Sequence, residues 1–493
     1  MRPWALAAPI LVLLICLPLM RPLRHPDPEM ISDDEQARLA TIQAIVEQHT
    51  LQIQGTIFAT RDVYRVEDKN RHSHWYSDQS PVMAALLSGP YWVMYKCGLS
   101  FERNPVIAEY LLTLFGVTLP IAFAAGLFYR MGRMFELRRP YRAGLALAVV
   151  IGSGWISYAT VLSAGAAAAA LVVMGAAALV QATLTRNRNG ATAWVAVAGL
   201  CVSLAATYEL TGLAFLVFLF LVVAAFRWPA LARVGAVTAY VAGAAIPILL
   251  YVALNRPITG DLLPGFLHPD PAPTALVASV GSASADLSSE PEWNRPLKRA
   301  LRETPSASAQ PIRVKHTLED DDDPPSFWRN AWRDLISFAV AFIGSHGLLT
   351  HFPVLILGML GILTILRRHW PRTTKVMACA TVLAGLAIVI GYTLQHADWS
   401  DAMFANRWFL VFLPLTLFWS GAWLRRSHQP ATWVVAGVLW GFSALIALLG
   451  ATDPQPRQGY DRYTAAGAFM HLVQPQTPQH RTPELVASDE SPF

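Results

Sequence analysis

Apolar residues run through this chain in blocks of about twenty, separated by short polar breaks. A helix needs about 20 apolar residues to cross a bilayer core. Eleven runs meet that length, centred on residues 4–21, 106–128, 143–161, 164–184, 191–207, 210–226, 233–254, 348–366, 375–394, 408–424 and 432–450. The pattern predicts an all-α polytopic membrane protein of about 11 transmembrane helices. The first run is long, lacks an A-x-A cleavage site and is followed by Arg21 and Arg24, so it is read as an anchor.

Between the runs lie three polar stretches, and they differ. Residues 22–105 form a first outer loop with order in it. Ser32 to Glu35 opens a helix reaching about His49, with Leu39, Ile42, Ile45 and Val46 on one apolar face. Residues 53–66 are extended enough for a hairpin, and Ser80 to Gly98 suits a membrane-surface helix interrupted by Pro90. Residues 255–334, the second outer loop, are mostly low in complexity. The division is then a transmembrane module over 1–450, containing both loops, and a polar tail over 451–493.

Charge orients the spans. Arg130, Arg133, Arg138, Arg139 and Arg142 follow the second run, Arg186 and Arg188 the fourth, and Arg367, Arg368, Arg372 and Lys375 the eighth. The alternate turns, near Ser163, near Glu209 and from His396 to Asn406, hold no Lys or Arg. Positive loops stay inside. The amino terminus is thus expected in the cytoplasm of a plasma (inner) membrane, with the long loops and the carboxyl terminus outside.

Composition agrees with the spans and narrows the chemistry. Of 493 residues 54% are hydrophobic and only 14% charged, where a soluble chain carries about 25%. The 38 Lys+Arg against 33 Asp+Glu leave a small basic excess, placed in short loops; no nucleic-acid partner is implied. Cys16, Cys97, Cys201 and Cys379 have neither metal nor redox spacing. No Walker or Rossmann glycine pattern points to a cytosolic nucleotide.

Acids at the outer boundary are the candidate chemistry. Ser32 and Glu35 make a capping box, and Asp33 and Asp34 favour the helix dipole. Capping leaves Asp34 unexplained, and its local partner would be Arg38, four residues on, in a surface pair of small value. Glu209 sits in a tight turn between two runs, where a carboxylate is expensive unless it faces water or a partner, so it is expected to line a cavity. Arg407 opens the tenth run, where it either snorkels or meets an anion. His346 stands near the boundary before the eighth. The acid run Glu319 to Asp323 reads as solvated. The alanine-rich span from Ala164 to Ala178, with Gly165 and Gly175, reads as close helix packing.

Asp34 and Glu35 directly after the first span, the juxtamembrane helix, and Tyr76-Ser77-Asp78-Gln79-Ser80-Pro81 before a second surface helix resemble the GT-C superfamily of integral membrane glycosyltransferases. The nearest likeness is to its protein O-mannosyltransferase and aminoarabinose transferase branch. Asn255 to Pro264, Ile343 to Leu348 with Pro353, and Asn406-Arg407-Trp408 follow in matching order, so the likeness runs over about residues 1–425. The resemblance implies inverting transfer of a sugar from a polyprenyl-phosphate donor to a hydroxyl or amine of a lipid, protein or polysaccharide acceptor at the outer face, among membrane lipids. Asp34 matches the catalytic aspartate as general base, with Glu35 its acidic neighbour. Asp78, Gln79, Glu209, His346 and Arg407 are the substrate-binding candidates. Relatives often read Lys-Pro-Pro where this chain has Gln79-Ser80-Pro81, so Arg407 and His346 are candidates to meet the departing phosphate instead. No cofactor is expected, and a divalent cation is allowed without being indicated. The competing reading is a non-catalytic binder, transporter or flippase of lipid-linked sugars. A transporter favours repeated halves and midplane polar helices, neither of which is seen.

Overall fold

In a computed structural model, the chain is a bundle of helices with the first outer loop folded onto one end. The structure describes residues 3–24, 31–58, 60, 62–67, 73–225, 228, 232–260, 262, 335–336, 338–344, 347–394, 404, 407–425 and 429–452. His346, Asn406, the acid run Glu319 to Asp323 and the polar tail beyond Thr452 lie outside them.

Helix α1 is Ala7–Leu19. After it come α2 (Asp33–Gln43), the hairpin strands β1 (Val63–Glu67) and β2 (Ser73–Ser77), and α3 (Pro81–Lys96). The bundle continues with α4 (Pro105–Thr113), which runs through a π-turn into α5 (Leu119–Met131), then α6 (Arg139–Gly152), α7 (Ala164–Leu184), α8 (Arg188–Tyr208), α9 (Gly212–Ala225) and α10 (Arg233–Thr259). It closes with α11 (Leu355–Arg367), α12 (Arg372–Leu394), α13 (Leu413–Phe418), α14 (Ser420–Leu424) and α15 (Pro430–Thr452).

Each of the eleven apolar runs is helical in whole or in part, yet seven helices among the described residues are long and apolar enough to cross a membrane. The run 143–161 breaks at Gly154, whose φ of 69° reverses the chain before a short turn at Trp155–Tyr158. A side chain there would also meet Phe352, whose Cζ lies 2.3 Å from where a Cβ would stand. The run 210–226 supplies only the 14 residues of α9. The run 408–424 divides into a 3-10 turn at Arg407–Phe409, α13 and α14. Residues 409–422 are buried by neighbouring helices rather than by lipid, so hydrophobicity there marks a protein core. The run 348–366 is itself broken by a 96° bend between His351 and Leu355.

Glycine and alanine set how closely the helices approach, which is the packing that lipid-soluble bundles rely on. A Cβ on Gly199 of α8 would lie 2.1 Å from the Tyr240 carbonyl of α10, and one on Gly243 would lie 2.0 Å from the Ala196 carbonyl. The Ser203 hydroxyl then donates to the Ala244 carbonyl at 2.8 Å. In α7, Gly175 admits Val202 in the same way, whereas Gly165 is under no such constraint.

The arginine-bearing turns at 130–142, 367–375 and 425 meet at one end of the bundle, where Arg425 pairs with Glu136 and rests over Trp370. At the other end α2, the hairpin and α3 pack on the tips of the helices. The Arg21 amide donates to the Thr160 carbonyl at 3.0 Å, and Arg24 donates from Nη2 to the Ala451 carbonyl at 3.2 Å, so the flank of α1 is stapled to that end.

The hairpin departs from the expected 53–66. Thr56 closes a turn on Ile53, with Gly55 at φ 81°, and β1 pairs antiparallel with β2 so that Arg65 faces Trp75. The pairing partner lies beyond the predicted segment because Ile53 to Thr56 is spent on that turn. Helix α3 runs unbroken through Pro90.

Candidate functional site

The first turn of α2 holds three acids in succession, and the fold sends them to different places. Ser32 caps the helix, accepting from the Glu35 amide at 3.4 Å. The reciprocal half of a capping box is absent: the Glu35 carboxylate instead accepts from Arg21 Nη2 at 3.1 Å and from the Leu162 amide at 3.1 Å. Arg21 also donates to Glu109 at 3.0 Å. Glu35 is 1% exposed, walled off from any solvent-filled space. Glu35 and Glu109 thereby clamp Arg21 and tie α2, α1 and α4 together.

Asp34 makes a separate set of contacts. It pairs with Arg407 and accepts from Gln79 Nε2 at 3.3 Å. Gln79 also donates to Asp78 at 3.1 Å and accepts from Arg38 Nη2 at 3.4 Å. Arg38 donates its other arm to the Leu162 carbonyl at 3.2 Å and is 6% exposed. The expected surface pair of Asp34 and Arg38 is thus replaced by a buried guanidinium that reaches past Asp34, because α2 lies against the bundle on this face.

Asp62, which the sequence pattern did not single out, completes the cluster. Its amide donates to the Thr60 hydroxyl at 3.1 Å, and Thr60 is anchored on the Asp33 carbonyl at 2.9 Å. Its carbonyl accepts the Asp78 amide at 3.3 Å, where the hairpin closes. Its carboxyl lies beside that of Asp34. Ser80 donates to the Thr207 carbonyl at the tip of α8, which fixes the Asp78-Gln79 segment over the helix ends. Glu209 follows directly as the C-cap of α8.

Burial and charge sort these groups. Burial alone would raise the Asp34 carboxyl, but Arg407 and Arg38 outweigh it and hold it well below the usual carboxylate range. Asp62 is pushed up by burial and by Asp34 and Asp78. Burial, with Asp34 beside it, raises Asp78 to about 7. Burial likewise raises Glu209, against the pull of Arg407 and Arg38. Arg407, which burial would lower, is raised by Asp34 and Glu209 and stays charged.

Four of the predicted site residues, Asp34, Asp78, Gln79 and Arg407, are joined through direct contacts, with Glu209 close enough to feel the same two arginines. Glu35 stands outside the cluster. Beside Arg407, Trp408 packs edge-on against Tyr392, ring centroids 4.4 Å apart, and its indole N–H has no hydrogen-bond partner among the described residues. Among the described residues no group of three or more His, Cys, Asp or Glu is arranged to hold a metal ion. The arrangement can hold one carboxylate ionised, keep a proton next to it, and offer a guanidinium and a free indole N–H to an anion.

No family model matches the chain, and no curated protein matches it in sequence. Its fold is similar to that of the Archaeoglobus fulgidus oligosaccharyltransferase in the apo form, at 13% identity and a TM-score of 0.48 over 97% of this chain and 59% of that one. The same enzyme in complex with Zn and sulfate aligns at 13% identity and a TM-score of 0.47, over 92% and 54% respectively. The chain therefore spans a little over half the length of these structures.

Proposed function

We propose that the protein is an integral membrane glycosyltransferase of the GT-C type, moving a sugar from a polyprenyl-phosphate donor to an acceptor hydroxyl or amine at the outer face. The observation that carries this reading is Asp34: an ionised, nearly buried carboxylate in the first turn of a juxtamembrane helix, paired with Arg407 in the 3-10 turn that precedes α13.

Asp34 takes the proton of the attacking O–H or N–H as that atom bonds to the anomeric carbon. The sugar's bond to the phosphate oxygen breaks with inversion, and the electron pair leaves on polyprenyl phosphate. Arg407 offsets the charge that develops there. Its present partner is Asp34, so a donor phosphate that engages Arg407 loosens its hold on the carboxylate and moves Asp34 up toward a useful basicity. The Trp408 indole N–H, next in sequence, supplies a second donor. Arg38 and Gln79 hold Asp34 in position, with Gln79 standing where the resemblance would place a lysine.

The test is turnover of a panel of polyprenyl-phosphate sugars by the purified protein in lipid, with release of polyprenyl phosphate followed by mass spectrometry and envelope extract as acceptor. Asp34→Asn is expected to lose about 100-fold or more in release while keeping donor binding. Equal release by both proteins would remove Asp34 as base. Donor binding by both without release by either would replace the enzyme with a binder or transporter.

A further inference from the structure

At the end of the bundle opposite Asp34, a cavity of about 770 Å³ opens between α6, α11, α14 and α15. Its walls are mostly apolar, with Leu357, Leu417 and Trp440 among the lining residues. Gly144 of α6 and Gly437 of α15 both line it, and a Cβ added at either would find nothing within 4 Å. Elsewhere in this bundle glycines such as Gly199 and Gly361 let backbones touch; these two leave space instead. A glycine in a helix is less favourable than alanine, so open space beside two of them is room kept without any packing return.

The mouth is chemically different from the body. Arg138 and Arg425 stand there, with Glu136 paired to Arg425, and Tyr141 and Trp433 lie 6.0 Å apart at the rim. Arg425 also rests over Trp370 at 5.3 Å, which fixes its guanidinium at the mouth. A net positive rim of arginine and interfacial aromatics above an apolar cleft matches one class of molecule in this solvent: an amphiphile with a negative head and hydrocarbon tails.

We propose that this cleft is a binding site for an anionic phospholipid of the surrounding leaflet, its acyl chain along Gly144 and Gly437 and its phosphate between Arg138 and Arg425. The site is independent of the Asp34 cluster and of the reading given to it.

Native mass spectrometry of the purified protein from nanodiscs of equal phosphatidylglycerol and phosphatidylcholine tests it. The wild type is expected to retain a phosphatidylglycerol adduct in about fivefold preference, as one net positive charge at the headgroup implies. Gly144→Leu with Gly437→Leu, whose added Cβ atoms meet nothing within 4 Å, is expected to lose the adduct while melting within a few degrees of wild type. Arg138→Gln with Arg425→Gln is expected to retain lipid without headgroup preference, and Arg138→Lys to keep the preference. Equal retention of both lipids by wild type, an undiminished adduct in the double leucine variant, or a lipid-free dimer mass showing a second copy on this face would each overturn the proposal.

Discussion

Arg407→Gln removes the guanidinium that holds Asp34 ionised, and the structure sets what should follow. Asp34 is 9% exposed and remains in contact with Gln79 and Asp62, so the carboxylate cannot turn out to water. Stripping one partner from a fully buried pair costs about 3–5 kcal/mol. The Arg407 side chain is 31% exposed, so solvent screens part of the attraction, and Arg38 still acts on the cluster. About 1–3 kcal/mol is therefore expected.

The loss should depend on pH in a defined direction. In the wild type Asp34 is held below its ordinary value, so its contribution is present above about pH 4 and is lost only as pH falls through the depressed folded value. Without Arg407, burial and the neighbouring acids raise Asp34, and the folded variant takes up a proton as pH is lowered toward about 4. The gap between the two proteins narrows over that interval. Reversible denaturation in mixed micelles, run on Asp34→Asn, Arg407→Gln and the double variant, measures the coupling directly. A coupling of about 1 kcal/mol or more is expected; additivity within about 0.5 kcal/mol would mean that the pair is not energetically linked and would refute the reasoning.

Asp78, raised to about 7 in the fold, favours the folded state most when protonated, so its contribution is full below about pH 4 and is lost as pH rises to 7. Asp78→Asn should flatten the wild-type decline in stability between those values, measured by the same denaturation at stepped pH. Glu35→Ala strands Arg21 with Glu109 alone and should cost about 3–5 kcal/mol, while the fraction that folds turns over donor at near the wild-type rate. A turnover loss like that of Asp34→Asn in folded protein would restore Glu35 to the chemistry. Gly243→Ala puts a methyl 2.0 Å from the Ala196 carbonyl and should lower the melting temperature in detergent by several degrees, with no change in the affinity of folded protein for donor.

What could be read along the chain was whatever repeats locally. Apolar length located the eleven runs, seven of which hold, among the described residues, a helix long enough to cross a membrane, and the Ser32 cap was legible because its partner is three residues away. Burial by protein and burial by lipid give the same hydrophobic signal, which is why residues 409–422 read as a span and stand in the structure as a broken, enclosed core. The same limit governs the site. Asp34 stood out because local capping did not account for it, whereas Asp62 lies in a stretch with no periodicity and acquires meaning only when the hairpin lays its carbonyl against the Asp78 amide.

Arg38 shows how a local rule misleads. Four residues from Asp34 on a helix, it has the spacing of a surface ion pair, and that rule assumes water on the shared face. Here the shared face is covered by Leu162 and by Gln79, contacts separated from Arg38 by 124 and 41 residues. Arg407, 373 residues from Asp34, takes the pairing instead. The identity of a residue's partner at this site is a property of the docking of the outer loop on the bundle. A variant that loosens that docking, by removing the Ser80 hydroxyl from the Thr207 carbonyl, should weaken the measured coupling of Asp34 to Arg407 without altering either residue. Unchanged coupling in Ser80→Ala would mean that the pair is set by α2 and the Arg407 turn alone.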